Sequence, residues 1–190
     1  MRLVAPLLLF AATAAQAADT EGRFAADGVG VVSCARYGEV VAMRTPEGAA
    51  ARETLSAWLD GFVSAANALQ DDTFDLTPWQ SARVIEQKMV AYCAGNPDTP
   101  LAVAATALLS ALAPDRVTEA QTGVSAGQAS LYPATLAALR AAVEARGLPT
   151  GDPEGFDDAF SGSLRSIQTE AGLDPTGQPD EDTLILLLDR

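Results

Sequence analysis

The chain has 190 residues with 25 acidic and 12 basic side chains, a formal charge of −13, and no histidine. These counts exclude a Ser-His-Asp or Cys-His nucleophile pair, His-ligated zinc and His-ligated haem. Lys88 is the one lysine, so the clustered cations that nucleic-acid binding rewards are missing and no nucleic-acid partner is expected. Thirty-eight alanines against 11 aromatic residues point to an all-α fold, and with no ordinary catalytic site visible a binding role and no enzymatic one is expected.

Met1 to Ala17 reads as a secretory signal. Arg2 supplies the positive start, Leu3 to Ala12 the apolar stretch, and Ala15-Gln16-Ala17 the small-x-small cleavage site. The apolar run falls short of the roughly 20 residues that span a bilayer. Cleavage near Ala17-Ala18 makes the expected product periplasmic or secreted, and no later segment has the length to span a membrane. In an oxidising compartment the two cysteines, Cys34 and Cys93, are expected to form one structural disulfide.

Residues 18–113 read as a disulfide-linked helical domain. A first helix is placed near Val32 to Arg44, with Cys34, Tyr37 and Val41 on one face. A long one follows from about Glu47 to Gln70, where Leu55, Trp58, Leu59, Phe62, Ala66 and Leu69 recur at spacings of three and four. Thr77-Pro78-Trp79-Gln80 has the marks of a helix start, and that helix carries Ile85, Met89 and Cys93 inward before Gly95-Asn96-Pro97 stops it. Pro100 to Leu112 is the fourth, with Leu101, Ala105, Leu108 and Leu112 in register.

Residues 114–130 read as a flexible linker, because the stretch from Ala113 to Ser130 has no apolar periodicity and is rich in Thr, Gln, Gly, Ser and Ala. Gly123-Val124-Ser125-Ala126-Gly127 inside it matches the nucleophile elbow G-x-S-x-G. That motif needs a preceding strand, a following helix and a histidine base, and linker chemistry is the expected reading here.

Residues 131–190 carry three short helical patterns. Leu136, Leu139 and Val143 form one face ending at Gly147; Phe156, Phe160, Leu164, Ile167 and Ala171 form a second ending at Gly172; Asp180 is placed to cap a third bearing Leu184, Leu187 and Leu188. Ile167-Gln168, Ala171-Gly172-Leu173, Thr176-Gly177, Asp180 and Thr183-Leu184 together resemble the peptidoglycan-binding domain of bacterial cell-wall hydrolases and transpeptidases. The resemblance implies a three-helix bundle that holds a protein against the wall, with Gly172, Leu173, Gly177 and Asp180 as its structural motif. It places wall contacts at Arg140 for a carboxylate, at Phe156, and at Gln168 and Thr183 for amides. The chain departs from the family before the second helix, where Glu154 and Asp157 stand in place of two glycines. Those carboxylates are expected to alter the turn and to repel stem-peptide carboxylates.

Cys34, Trp58-Leu59-Asp60-Gly61-Phe62, Asn67, Tyr92-Cys93 and Asn96-Pro97 are similar to small exported helical proteins with one disulfide, the group holding HdeA-like acid-stress chaperones and Tai-type immunity proteins. Gly61 is expected to permit close helix approach, and Asn67 to bond backbone at a helix end. The full expectation is a disulfide-linked four-helix unit followed by a small three-helix bundle. Its bundle would bind peptidoglycan and its first unit another periplasmic protein. An acid-responsive chaperone and an accessory subunit of a wall enzyme are the alternatives. The acidic clusters Asp71-Asp72 with Asp75, Asp157-Asp158 and Asp180-Glu181-Asp182 read as turns and helix starts, with no cofactor or metal site among them.

Overall fold

The structure is a computed structural model that describes Asp19 and residues 23–189; the expected signal, residues 1–17, lies outside the described residues. Besides two short 3-10 turns, Gly28–Val31 and Ala113–Asp115, the described residues form seven α-helices and one two-stranded sheet: α1 (Cys34–Ala42), α2 (Pro46–Leu69), α3 (Ala82–Gly95), α4 (Leu101–Leu112), β1 (Val124–Ala126), β2 (Ala129–Leu131), α5 (Pro133–Glu144), α6 (Asp158–Ala171) and α7 (Glu181–Leu188). The fold is therefore mostly helical. No described helix is long and apolar enough to cross a membrane.

Local chemistry explains most helix boundaries. Ser33, Thr45, Ser81, Asp157 and Asp180 each accept a backbone N–H of the helix they precede, satisfying one of its unpaired first-turn donors. Pro46 and Pro133 stand at helix starts, where a missing N–H costs nothing. Gly172 ends α6 in the left-handed region (φ 72°), and Leu173 N–H then returns to Gln168 O at 2.8 Å.

The buried apolar side chains form two clusters. The first joins α1 to α4 through Tyr37, Leu55, Leu59, Met89, Leu101 and Leu109, and contains both cysteines. Cys34 and Cys93 are disulfide-bonded across 59 residues of chain. The entries of α1 and α4 are also tied together: Cys34 N–H donates to Thr99 O, and Leu101 N–H to Val32 O, each at 2.8 Å. Asn67 does bond backbone at the end of α2, accepting Leu76 N–H at 2.9 Å. Gly61, by contrast, faces open space; the close approach is at Gly30, where a side-chain carbon would run into the Trp58 ring. Trp58 stacks on Phe62 at 5.1 Å.

The second cluster takes Leu136, Leu139 and Val143 from α5, Phe160, Leu164 and Ile167 from α6, and Leu184 and Leu187 from α7. Two further members, Ala126 and Leu131, come from the hairpin, and Ala126 lies in the segment read as a flexible linker. That reading is corrected. Val124–Ala126 and Ala129–Leu131 pair antiparallel about Gly127 (φ 62°), and Val117 upstream is 2% exposed. Three-residue strands offer too few alternations to register as periodicity.

A second correction concerns Thr77 to Gln80. The helix starts at Ala82 with Ser81 as its cap, because the preceding segment is claimed by other bonds. Phe74 and Asp75 donate their N–H groups to Val117 O, and Val117 returns one to Asp75 O at 2.8 Å. Thr77 donates both its N–H and its hydroxyl to Asp75 Oδ1. The extended strap so formed brings Trp79 against the second cluster.

Candidate functional site

Three polar constellations stand out, and the first is built around Gln168. Its side chain is fully buried on α6. The amide oxygen accepts Gly177 N–H at 2.7 Å, and the amide nitrogen donates to Thr183 Oγ1 at 2.7 Å and to Gln178 O at 2.9 Å. Thr183, also fully buried, donates its hydroxyl to Asp180 Oδ1 at 2.6 Å, while Asp180 Oδ2 accepts from Thr176 at 2.7 Å. The motif residues of the C-terminal block thus meet in one network that closes the turn between α6 and α7. Gln168 and Thr183 were expected to present amide contacts to a ligand. Both sit inside the protein with their polar atoms occupied, so in this conformation they hold the turn.

Arg140 on α5 and Phe156 in the loop before α6 form the second constellation around Phe160, which stands about eight residues before Gln168 on α6, or ~12 Å at a helical rise of 1.5 Å per residue. The Arg140 guanidinium lies 4.8 Å from the Phe160 ring centroid and donates to Thr150 O at 2.7 Å and Gly155 O at 2.6 Å. Phe156, half-buried, packs on Phe160 at 5.1 Å. Arg140 is accordingly committed to the loop before α6. The structure therefore pairs Arg140 with Phe156 and Gln168 with Thr183, but does not converge all four on one groove.

Of the two acids in that loop expected to disturb it, Asp157 builds it with its carboxylate and Glu154 joins through its backbone N–H. Asp157 accepts Phe160 N–H at 2.9 Å and Asp152 N–H at 2.8 Å. Those backbone donors, Phe160 first, lower its carboxyl below the ordinary value. Glu154 donates its N–H to Asp152 Oδ1 at 3.0 Å. The loop is thus held by the carboxylates of Asp152 and Asp157. Among the described residues no group of acids or cysteines is arranged to hold a metal ion.

The third constellation was not foreseen. The strap before α3 and the hairpin face each other across an open cleft of about 460 Å³ lined by Asp75, Pro78, Gln121, Gly123, Ser130 and Tyr132. Burial raises the Tyr132 hydroxyl above its ordinary pKa, and the charge and hydrogen bonding of Asp75 push the same way, so the phenol stays protonated. Phe74 meets the Tyr132 ring edge-on at 6.0 Å and is 40% exposed. The cleft depends on residues far apart in the chain, which the pairing of Asp75 with Val117 and the contact of Phe74 with Tyr132 bring together. Ser125 of the elbow-like motif lies within β1 opposite Ser130, a hairpin position instead of a strand-to-helix turn.

A second surface groove, about 420 Å³, runs between α2 and α3 past Arg52, Glu53, Arg83 and Glu86. Arg83 leaves it to pair with Asp182 at 2.6 Å and with Glu181. Ser81 also reaches Glu181, and Lys88 reaches Asp189. Carboxylates on and just beyond α7 thereby join cations and a hydroxyl on and beside α3. No family model, curated protein or solved structure matches this chain.

Proposed function

We propose that the chain is a non-enzymatic, exported protein of the cell envelope. In this reading residues 1–17 are removed, α1 to α4 form a disulfide-linked unit that binds another envelope protein, and α5 to α7 form a three-helix bundle that associates with peptidoglycan. The observation that carries it is the Gln168 network. The residues that resemble the peptidoglycan-binding family lie on two helices and a turn, yet Gln168, Gly177, Asp180 and Thr183 engage one another directly. A chance match of spaced letters has no reason to fold into one set of hydrogen bonds. The test is sedimentation with insoluble peptidoglycan, the protein running from Ala18 onward: retention above a helical control supports the reading, and none ends it.

The contacts between α3 and α7 favour a second reading. Cations Arg83 and Lys88 face carboxylates Glu181, Asp182 and Asp189, and acid neutralises carboxylates in a chain that carries 25 of them. An acid-responsive chaperone would part this contact at low pH and offer apolar surface to unfolding clients. Suppression of client aggregation below about pH 4 tests it; an inert protein there removes it.

A further inference from the structure

We propose that the cleft between the strap and the hairpin is a binding site for a neutral saccharide bearing acetamido groups, the glycan strand and not the stem peptide of the wall. This rests on the peptidoglycan reading and supplies it with a place that the resemblance does not.

The size fits first: about 460 Å³ lies within the ~300–1,000 Å³ of small-molecule sites, which favour junctions between packed units. The charge is equally selective. The lining holds one carboxylate, Asp75, and no Lys or Arg, on a chain of charge −13. Phosphates and stem-peptide carboxylates would meet repulsion with no cation to offset it. A cation is poorly served as well, because Asp75 Oδ1 already accepts from Thr77 N–H and Oγ1 and is the one charged ligand present.

The remaining chemistry suits a sugar. Asp75 Oδ2 and the Tyr132 oxygen accept sugar hydroxyls, the Tyr132 proton being held by Asp75, the Ser130 hydroxyl adds a donor-acceptor site, and Gln121 offers an amide nitrogen to an acetamido carbonyl. Pro78 and Tyr132 line the cleft and offer apolar surface to the C–H side of a pyranose ring, while the half-exposed Phe74 stands edge-on to Tyr132 outside that lining. Such aromatics with one wet edge are what a carbohydrate needs, being apolar on one side and hydroxylated on the other.

The test is a two-dimensional NMR titration of the chain from Ala18 onward with N-acetylglucosamine tetramer. Shifts concentrated at Gly123, Ser130 and Tyr132 are expected. Tyr132→Phe and Gln121→Ala should each weaken binding on the order of five- to tenfold, as one lost hydrogen bond does, with circular dichroism unchanged. Gln121→Ala guards against a folding artefact, since that side chain accepts Ala134 N–H only across a long 3.4 Å. Absence of shifts with the tetramer at about 10 mM, roughly ten times a weak dissociation constant of about 1 mM, or shifts mapping elsewhere, overturns the proposal. The same protein is sedimented in parallel with insoluble peptidoglycan. Retention without cleft shifts overturns the cleft alone, whereas cleft shifts without retention support the cleft and end the wall reading.

Discussion

The side-chain oxygen of Gln168 accepts the backbone N–H of Gly177 at 2.7 Å, nine residues down the chain, at a site closed to solvent. That bond and the one to Thr183 make Gln168 the pin of the α6–α7 turn. Gln168→Leu would leave the Gly177 donor buried without a partner, and an orphaned buried group costs about 1–3 kcal/mol. Urea denaturation should show a loss near the upper end of that range, because Thr183 and Gln178 lose their donor too. An unchanged midpoint would contradict the structural role.

The disulfide should dominate the stability of the N-terminal half. Cys34 and Cys93 close a loop spanning 59 residues, which the chain-entropy account equates to about 4 kcal/mol of lost freedom in the unfolded state. The double substitution Cys34→Ser with Cys93→Ser is expected to lower the denaturation midpoint accordingly. A reductant should shift the wild type to the same value and leave the double variant unmoved.

Trp79 couples the halves. It comes from the strap before α3 yet packs on the cluster formed by α5, α6 and α7. Trp79→Ala should cost roughly 2 kcal/mol for a partly buried aromatic. It should also split thermal unfolding, followed by calorimetry, into two transitions. A single transition in the variant would show that the α3–α7 ion pairs couple the halves unaided.

Asp157 provides a pH test whose sign is fixed. Backbone donors from Phe160 and Asp152 hold its carboxyl below the ordinary value in the folded protein. Its stabilisation is therefore fully present above the unfolded carboxyl pKa, about 4, and is lost as pH falls through the lower folded value. Urea midpoints of wild type and Asp157→Asn should differ by a constant amount from pH 7 to 5 and converge towards pH 3. A gap that stays constant to pH 3 would argue against an ionised cap.

Helices with long apolar stripes or recognisable caps were legible in the amino-acid order. The stripe from Leu55 to Leu69 announces α2, and Asp180 and Gly172 mark boundaries that backbone chemistry alone dictates. Residues whose conformation is set by distant partners were not. Thr77-Pro78 has a helix-start composition, but Asp75 takes both Thr77 donors and pairs with Val117, 42 residues on, so the chain stays extended. The hairpin is too short to show a period. The amino-acid order suggests Gln168 and Thr183 as ligand contacts, but a sequence does not say whether an amide points inward, and here burial decides it. The cleft could not be read at all, since its walls meet only through the strap.

The central claim is that this chain holds to the wall, and the most direct measurement is sedimentation of the protein from Ala18 onward with purified, insoluble peptidoglycan at moderate salt. The account predicts saturable retention that soluble N-acetylglucosamine oligomers compete away and that Tyr132→Phe diminishes. Retention no greater than that of an acidic helical control would contradict it.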